Sequence, residues 1–440
     1  MSAATIFALA TPAGRSGVAV FRISGPEAGP ALARLTQKAL PKARLAARRK
    51  FYQPPEMRLP IDDGLALWFP APASFTGEDV VELHVHGGAA VLSALSEALL
   101  ALGLQPAAAG AFTRRAFDHG KLDLTAVEGL ADLIAAETEA QRRQALRQLD
   151  GAFGARIEAW RHALIGAQAQ IEAAIDFPEE DLPAGLVTQV DAAMRAIADQ
   201  IARALQDGRR GERLREGLSV VILGAPNAGK SSLLNRLAQR EAAIVSEEAG
   251  TTRDVIELGL DLGGFPVVLA DTAGLRDAGN AVESEGVRRA LARAERADLK
   301  LVVLDGAQGW VVPPEVRPLI DGNSILVLNK ADLAPGTRPL AGGIVVSAQT
   351  GAGLGEVEAE LGRRAALLMA PGDEPAMTRA RHRSALVDCA EMLRRGLAVG
   401  AVELKAEELR LAARALGRIT GRVDVEDVLD RLFAEFCIGK

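Results

Sequence analysis

The loop Gly224-Ala225-Pro226-Asn227-Ala228-Gly229-Lys230-Ser231 constrains this chain more than any other stretch. It follows the apolar run Val220–Leu223 and opens a helix-like stretch at Ser232. A strand, a glycine-rich turn and a helix, in that order, make a cradle for phosphate. The glycines let backbone N–H groups curl around phosphate oxygens, while Lys230 reaches the terminal phosphates. Ser231 offers a hydroxyl to magnesium, and the start of the helix favours an anion.

Gly-Lys-Ser also occurs in ordinary loops, so the downstream motifs decide the matter. Asp271-Thr272-Ala273-Gly274 comes after the apolar run Val267–Ala270. A carboxylate at that strand end is placed to hold magnesium through water, and the Gly274 amide to meet a terminal phosphate. The run Ile325–Leu328 leads into Asn329-Lys330-Ala331-Asp332. A carboxylate at Asp332 accepts the ring N–H and the amino group of guanine, a pattern adenine does not present. Asn329 braces the base pocket, and the stem of Lys330 covers the base face. Ser347-Ala348-Gln349 comes after the apolar run Ile344–Val346, its backbone placed for the guanine oxygen. Between the first two elements, Gly250-Thr251-Thr252-Arg253-Asp254 reads as a switch segment with a hydroxyl for magnesium. Five elements in this order predict a Ras-like guanine-nucleotide domain.

The chain departs from that pattern at one point. Ras-type switches place a water-orienting glutamine directly after Asp-x-x-Gly, but here the position is Leu275. No arginine finger is marked either. Another group must position the water, and a further cation is a candidate for neutralising transition-state charge. Asn227 has two readings: a ligand to a monovalent ion, or a side chain capping its own loop.

At 440 residues, 49% of them hydrophobic, the chain has room for two or three domains. Aromatic residues are only 4%, so helix packing must rely on Leu, Ala and Val. The net charge of −6 argues against a surface coated in positive charge for nucleic acid. The basic stretches Lys42–Lys50 and Arg209–Arg215 read as solvated surface before they read as a nucleic-acid patch. Two cysteines, Cys389 and Cys437, form no disulfide framework and fit a reducing compartment. Cys389 lies in a helical pattern and is expected to pack as a small apolar side chain. No secretory signal or apolar run of membrane-spanning length is present, so a soluble, cytoplasmic protein is expected.

Along the chain, the pattern predicts strands over 18–23, 65–69 and 79–85 and a helix over 89–101, an α+β region. Long amphipathic helices come next, from Leu122 to Ile175, with a break expected at Asp150, Gly151 and Gly154, and another helix runs from about Ala184 to Leu205. Helical pattern returns over 379–397, 406–416 and 425–436, beyond a Pro/Gly linker at 370–375. The simplest account is one helical domain interrupted by an inserted nucleotide domain.

The whole chain resembles the MnmE (TrmE) family of tRNA modification GTPases. Besides the nucleotide motifs, the resemblance rests on Gly14–Gly17 with Phe21–Gly25, on Ser74-Phe75-Thr76-Gly77-Glu78-Asp79 with His86-Gly87-Gly88, and on the tail Cys437-Ile438-Gly439-Lys440. Phe112–Phe117 and Gly120–Leu124 agree as well. Ala111 departs from the family, which usually carries Glu there. The resemblance implies a multi-domain α/β and α architecture. An α+β folate-binding and dimerisation domain is expected over 1–120, and a discontinuous helical domain over 121–212 and 372–440. A Ras-like P-loop GTPase domain would be inserted over 213–371.

It also implies a homodimer and an FAD-dependent partner, MnmG (GidA), joined in a heterotetramer acting on tRNA, without a membrane. Together they would add a carboxymethylaminomethyl or aminomethyl group to carbon 5 of the wobble uridine. The one-carbon unit would come from a tetrahydrofolate derivative, 5-formyl or 5,10-methylene.

By the same resemblance, GTP contacts fall on Asn227, Ala228, Gly229, Lys230, Ser231 and Ser232; on Ser246, Glu247, Glu248, Ala249, Gly250, Thr251 and Thr252; on Asp271, Thr272, Ala273 and Gly274; and on Asn329, Lys330, Ala331, Asp332, Ser347, Ala348 and Gln349. Magnesium falls to Ser231 and Thr252, and potassium to Asn227, Ser246, Glu248 (through its carbonyl) and Thr251. Glu283, by itself a solvated helix residue, matches the family's water-positioning glutamate. Lys230 completes the hydrolytic set. Arg22, Glu82, Lys121 and Lys440 match the folate pocket, although Arg22 and Glu82 also suit a structural ion pair. Cys437 is either a reactive thiol beside the one-carbon unit or a thiol that only packs. Two other functions fit the GTPase motifs: a ribosome-assembly GTPase of the Era or Der type, and a GTP switch or scaffold without covalent chemistry. Neither accounts for the tail.

Overall fold

The computed structural model describes residues 4–439 except 13, 57, 177–184, 208, 241, 245–256, 272–292, 315, 334–335, 337, 339–341, 371, 373–374, 424–425, 435 and 437–438; of Asp271 it describes the backbone alone. The chain divides into two compact units. One comprises Met1–Ala131, Leu149–Arg161 and Leu416–Lys440, the other Asp132–Gln148 and His162–Ala415. The boundaries fall inside the helices Leu124–Ala135, Ala152–Asp176 and Val402–Thr420 and close to the end of Glu139–Leu149.

In the first unit, β1 (Ile6–Leu9), β2 (Ser16–Ser24), β3 (Ala47–Tyr52), β4 (Pro60–Phe69), β5 (Val80–Gly87) and β6 (Gln105–Pro106) form one sheet in the order β3-β4-β5-β2-β1-β6. All pairings are antiparallel except β1 with β6. Alternation along a strand sends successive side chains to opposite faces. In β5, Val81, Leu83 and Val85 enter a core with Phe21, Ile23, Phe51, Leu32, Leu35, Leu95 and Leu99, the last four from the helices Ala28–Thr36 and Ala89–Ala101. Glu82, His84 and His86 therefore share the other face. A second cluster joins Leu124 and Val127 to Leu429, Leu432, Phe433 and Phe436 around the C-terminal helix Glu426–Ala434.

The basic stretch 42–50 is solvated as expected and ends in an edge strand. In β3, Arg48 and Lys50 are exposed while Phe51 is fully buried. Charges on an open sheet edge discourage pairing with another chain. Gly154 differs from expectation. It lies inside the helix Ala152–Asp176 rather than at the chain break, and a Cβ there would sit 2.1 Å from Asp123 Oδ2, so the Asp123 side chain would have to shift to admit one. The break itself falls at Asp150 and Gly151.

The second unit is built on β7 (Leu218–Leu223), β8 (Glu257–Leu262), β9 (Phe265–Asp271), β10 (Leu299–Asp305), β11 (Ser324–Asn329) and β12 (Ile344–Val345), in the order β12-β11-β10-β7-β9-β8. Only β8 runs antiparallel to its neighbour. The central strands are rich in Val, Leu and Ile because both faces are buried. The helices Lys230–Ala238 and Leu354–Met369 supply Leu233, Leu234, Leu237, Val357 and Leu361 to one face.

Helices Leu186–Leu205 and Ala380–Ala398 pack together in this unit. Cys389 is fully buried, as expected, and burial, then the charge of Asp388, pushes its thiol up to about 12. The second basic stretch is largely paired rather than solvated. In the helix Arg210–Glu216 its charges are largely spent on internal pairs. Glu212, 2% exposed, accepts from Arg209 at 2.6 Å and Arg383 at 2.8 Å. Arg213 reaches Asp298 at 2.6 Å, and Arg215 shares Asp132 with Arg379. Among the described residues, no helix is long and apolar enough to cross a membrane.

Candidate functional site

Every described nucleotide motif lies at the carboxyl end of a parallel strand, where open α/β sheets bind ligands. The loop 224–229 joins β7 to the helix Lys230–Ala238. A Cβ on Gly224 (φ 151°) would sit 2.2 Å from the Val303 carbonyl oxygen, and one on Gly229 (φ 91°) 2.1 Å from Asn329 Nδ2. Both positions therefore exclude any side chain, on backbone and on space. Asn227 takes the left-handed conformation (φ 62°), which asparagine tolerates better than most residues. It is exposed, and its side chain bonds to no described residue, so the loop-capping reading finds no support. Lys230, 7% exposed, donates to the carbonyls of Gly224 (3.0 Å) and Ala225 (2.9 Å). Ser231 and Ser232 are exposed in the first turn. Asp271 ends β9 directly opposite Ile222 of β7, which sets its backbone beside the strand that feeds the loop.

Asn329 holds three motifs together. Its Nδ2 donates to Ala228 O at 2.9 Å, and its Oδ1 accepts from Ala348 N at 3.0 Å. At 2% exposure it is a brace, as the sequence predicts. The Ala331 amide bonds to Val346 O at 3.0 Å. Asp332 Oδ1 accepts from Ser347 Oγ at 2.5 Å, which fixes the carboxylate and leaves its other oxygen for a base. Lys330 (φ 64°) bonds Asp305 Oδ2 at 2.7 Å, and that ammonium holds the Asp305 carboxyl below its usual range. Asp305, at the end of β10, carries no motif signature and was missed by sequence reasoning. Gln349 is exposed beside Ala348. Ser246, Glu247, Glu248, Ala249, Gly250, Thr251, Thr252, Thr272, Ala273, Gly274, Leu275 and Glu283 lie outside the described residues, as do Cys437 and Lys440.

The other predicted cluster belongs to the first unit. Arg22 of β2 and Glu82 of β5 are direct cross-strand partners. Arg22 Nη2 and Nε donate to Glu82 Oε1 at 3.0 and 3.2 Å, so the two form an ion pair in this structure. The same guanidinium lies 5.6 Å from the centre of the Phe75 ring and 5.9 Å from that of Phe112. Its Nη1 reaches Gly439 O at 3.4 Å, which brings the C-terminal tail to this spot. Gly439 (φ 107°) is pressed against the backbone of Leu9 and Ala10. Arg115 braces the loop that carries Phe75, bonding Glu78 Oε2 at 2.6 Å and Ser24 O at 3.0 Å. Lys121 is exposed after the helix Ala111–Asp118, and no contact ties its side chain to Arg22 or Glu82. His84 of β5, unremarked in the sequence, places Nε2 3.5 Å from Glu82 Oε2. Its spacing of two from Glu82 was the available signal.

A phosphate loop, a braced guanine pocket and a parallel sheet together define a P-loop GTPase of the Ras-like type. Comparison with known proteins narrows this. The model for the GTP-binding protein TrmE N-terminus matches residues 5–121, and that for the MnmE helical domain matches residues 124–437. The tRNA modification GTPase MnmE of Parvibaculum lavamentivorans is 57% identical over 99% of this chain and 100% of its own length. That of Paramagnetospirillum magneticum is 54% identical over 99% of each. A crystal structure of Aquifex aeolicus Era with GDP·AlF4− is 25% identical over 39% of this chain and 65% of its own, with a TM-score of 0.27. The chain belongs to the MnmE (TrmE) family of tRNA modification GTPases.

Proposed function

We propose that this GTPase is activated by potassium and works with an FAD-dependent partner, MnmG (GidA). Together they add a carboxymethylaminomethyl or aminomethyl group to carbon 5 of the tRNA wobble uridine. The chain acts as a homodimer within a heterotetramer, in the cytoplasm, with its domains at 1–120, 121–212 plus 372–440, and 213–371. The observation that carries the reading beyond nucleotide hydrolysis is the Arg22–Glu82 pair. It lies beside two aromatic rings and meets the tail carbonyl of Gly439.

That chemistry suits a tetrahydrofolate derivative. The Arg22 cation fits a glutamate tail, a half-exposed Phe75 offers an aromatic face, and Glu82 Oε2 accepts no hydrogen bond from the described protein. Arg22 and Glu82 would hold the folate, with Lys121 and Lys440 completing the pocket. The folate supplies the one-carbon unit when bound. Cys437, two residues before Gly439, is the candidate acid, base or nucleophile for the transfer.

In the nucleotide site, Lys230 exchanges the carbonyls of Gly224 and Ala225 for phosphate oxygens. Asp332 reads guanine, while Ser231 and Thr252 hold magnesium. Asn227, exposed and bonded to no described residue, fits a monovalent cation together with Ser246, Glu248 and Thr251, and Glu283 orients the water. Loss of one such electrostatic contact costs on the order of 10²-fold in rate. GTP hydrolysis is therefore expected to be that much faster in potassium than in sodium; equal rates would remove the cation site. Mass spectrometry of wobble nucleosides from cells lacking the chain tests the whole reading. Unmodified carbon 5 is expected, and normal modification overturns it.

A further inference from the structure

His84 Nε2 is buried and forms no hydrogen bond with any described residue. Its cross-strand neighbours, Leu65 on β4 and Val20 on β2, are apolar and offer none. The polar atom it faces is Glu82 Oε2 at 3.5 Å, on the same face of the same strand. The two oxygens of Glu82 are thus treated differently. Oε1 is held by two nitrogens of Arg22, and Oε2 lies 3.5 Å from the imidazole.

Water does not reach Nε2, so the tautomer matters. With the proton on Nδ1 alone, a lone pair on Nε2 would oppose the lone pairs of a carboxylate, and a buried polar group without a partner is costly. With the proton on Nε2, the ring donates toward Oε2, a charge-assisted contact that shortens with a small rotation.

We propose that His84 is a positioning residue for the proposed folate site: its Nε2–H tethers Glu82 Oε2 and keeps the carboxylate aimed. The proposal rests on the folate reading, in which Glu82 accepts N–H donors of the pterin. Arg22 and His84 fix one oxygen each, so the remaining lone pairs point in set directions. A carboxylate pinned at both oxygens loses little freedom when a ligand binds.

Two variants of the full chain separate a hydrogen-bond role from packing. His84→Leu fills similar space without a donor, whereas His84→Gln returns an N–H at similar reach. Thermal melting confirms that each is folded. By calorimetric titration with 5-formyltetrahydrofolate, His84→Leu is expected to bind roughly tenfold more weakly and His84→Gln to recover to within about threefold of the natural chain, the scale of one hydrogen bond to a charged group. Unchanged affinity in His84→Leu overturns the proposal, as does His84→Gln binding as weakly as His84→Leu. If the natural chain takes up no folate, the folate reading fails, and the tautomer is then decisive. In ¹⁵N-histidine NMR, with the signal assigned by its loss in His84→Gln, a protonated Nε2 at neutral pH is expected. An unprotonated Nε2 rules the tether out.

Discussion

In the nucleotide site most of the fixing contacts come from backbone, and in the Arg22–Glu82 cluster nearly all come from side chains. The loop 224–229 has its shape because Gly224 and Gly229 can take conformations and close approaches that no side chain permits. Asn329 then ties the loop to the base motifs through one backbone carbonyl and one backbone amide. On the antiparallel sheet, by contrast, Arg22, Glu82 and His84 face one another because of register alone. A site made of backbone survives many side-chain changes but fails where a Cβ intrudes. A site made of facing charges fails on a single isosteric replacement, since one removal strands the partner.

That contrast is most severely tested at Asp332, a side chain doing selective work in the backbone-built site. Asp332→Asn exchanges an acceptor for a donor opposite guanine, and GTP affinity is expected to fall by about 100-fold, two charged hydrogen bonds being lost. Xanthosine triphosphate should gain in turn. Titration with both nucleotides checks this, and unchanged GTP affinity would remove the base pocket.

In the side-chain site, Glu82→Gln leaves Arg22 with one charge unmatched. Affinity for 5-formyltetrahydrofolate should drop roughly tenfold, the cost of a charged hydrogen bond. GTP affinity should hold. Equal losses for both ligands would show that the two regions are not separable.

Acid gives a smaller handle on the nucleotide side. Lys330 depresses the folded-state value of Asp305, so the pair stabilises the fold above the ordinary carboxylate value, about 3.9. The contribution is lost as pH falls through the depressed folded value. Asp305→Asn should therefore cost under about 1 kcal/mol at pH 7, for a pair this near solvent. The difference from the natural chain should vanish on acidification. Melting curves that diverge instead as acid is added contradict the sign.

The smallest effect concerns Ala111, which opens the helix Ala111–Asp118 with no acid in its first turn. Ala111→Glu places a negative charge at the helix start and should gain roughly 0.5 kcal/mol in urea unfolding. A loss would mean that the side chain is excluded by its surroundings.

Several helices were legible to within a few residues because their apolar period is local, but the break between Leu124–Ala135 and Glu139–Leu149 was not. Ala89–Ala101 and Ala380–Ala398 fall where the pattern puts them. The helix Val402–Thr420 extends beyond the predicted 406–416. Its extra first turn, Val402-Glu403-Leu404-Lys405, alternates apolar and charged residues and so carries no helical period. The stretch Arg209–Arg215 looked like free positive charge, and nothing nearby in sequence announced Asp298, Asp132 or Arg383 as its partners.

The nucleotide chemistry was determined by sequence alone, since a phosphate loop and a guanine motif are contiguous runs that encode their own backbone geometry. Their convergence was decided by the parallel sheet, which brings the carboxyl ends of β12, β11, β10, β7 and β9 to one edge in that order. The Arg22 cluster belongs wholly to tertiary structure. Its members are separated by 60 residues to Glu82 and 417 to Gly439, and only strand register and the return of the tail put them within hydrogen-bond reach. The direction of His84 toward Glu82 has the same origin. Side chains two apart share a face on any strand, but burial of Nε2 between apolar neighbours depends on what the adjoining strands bring.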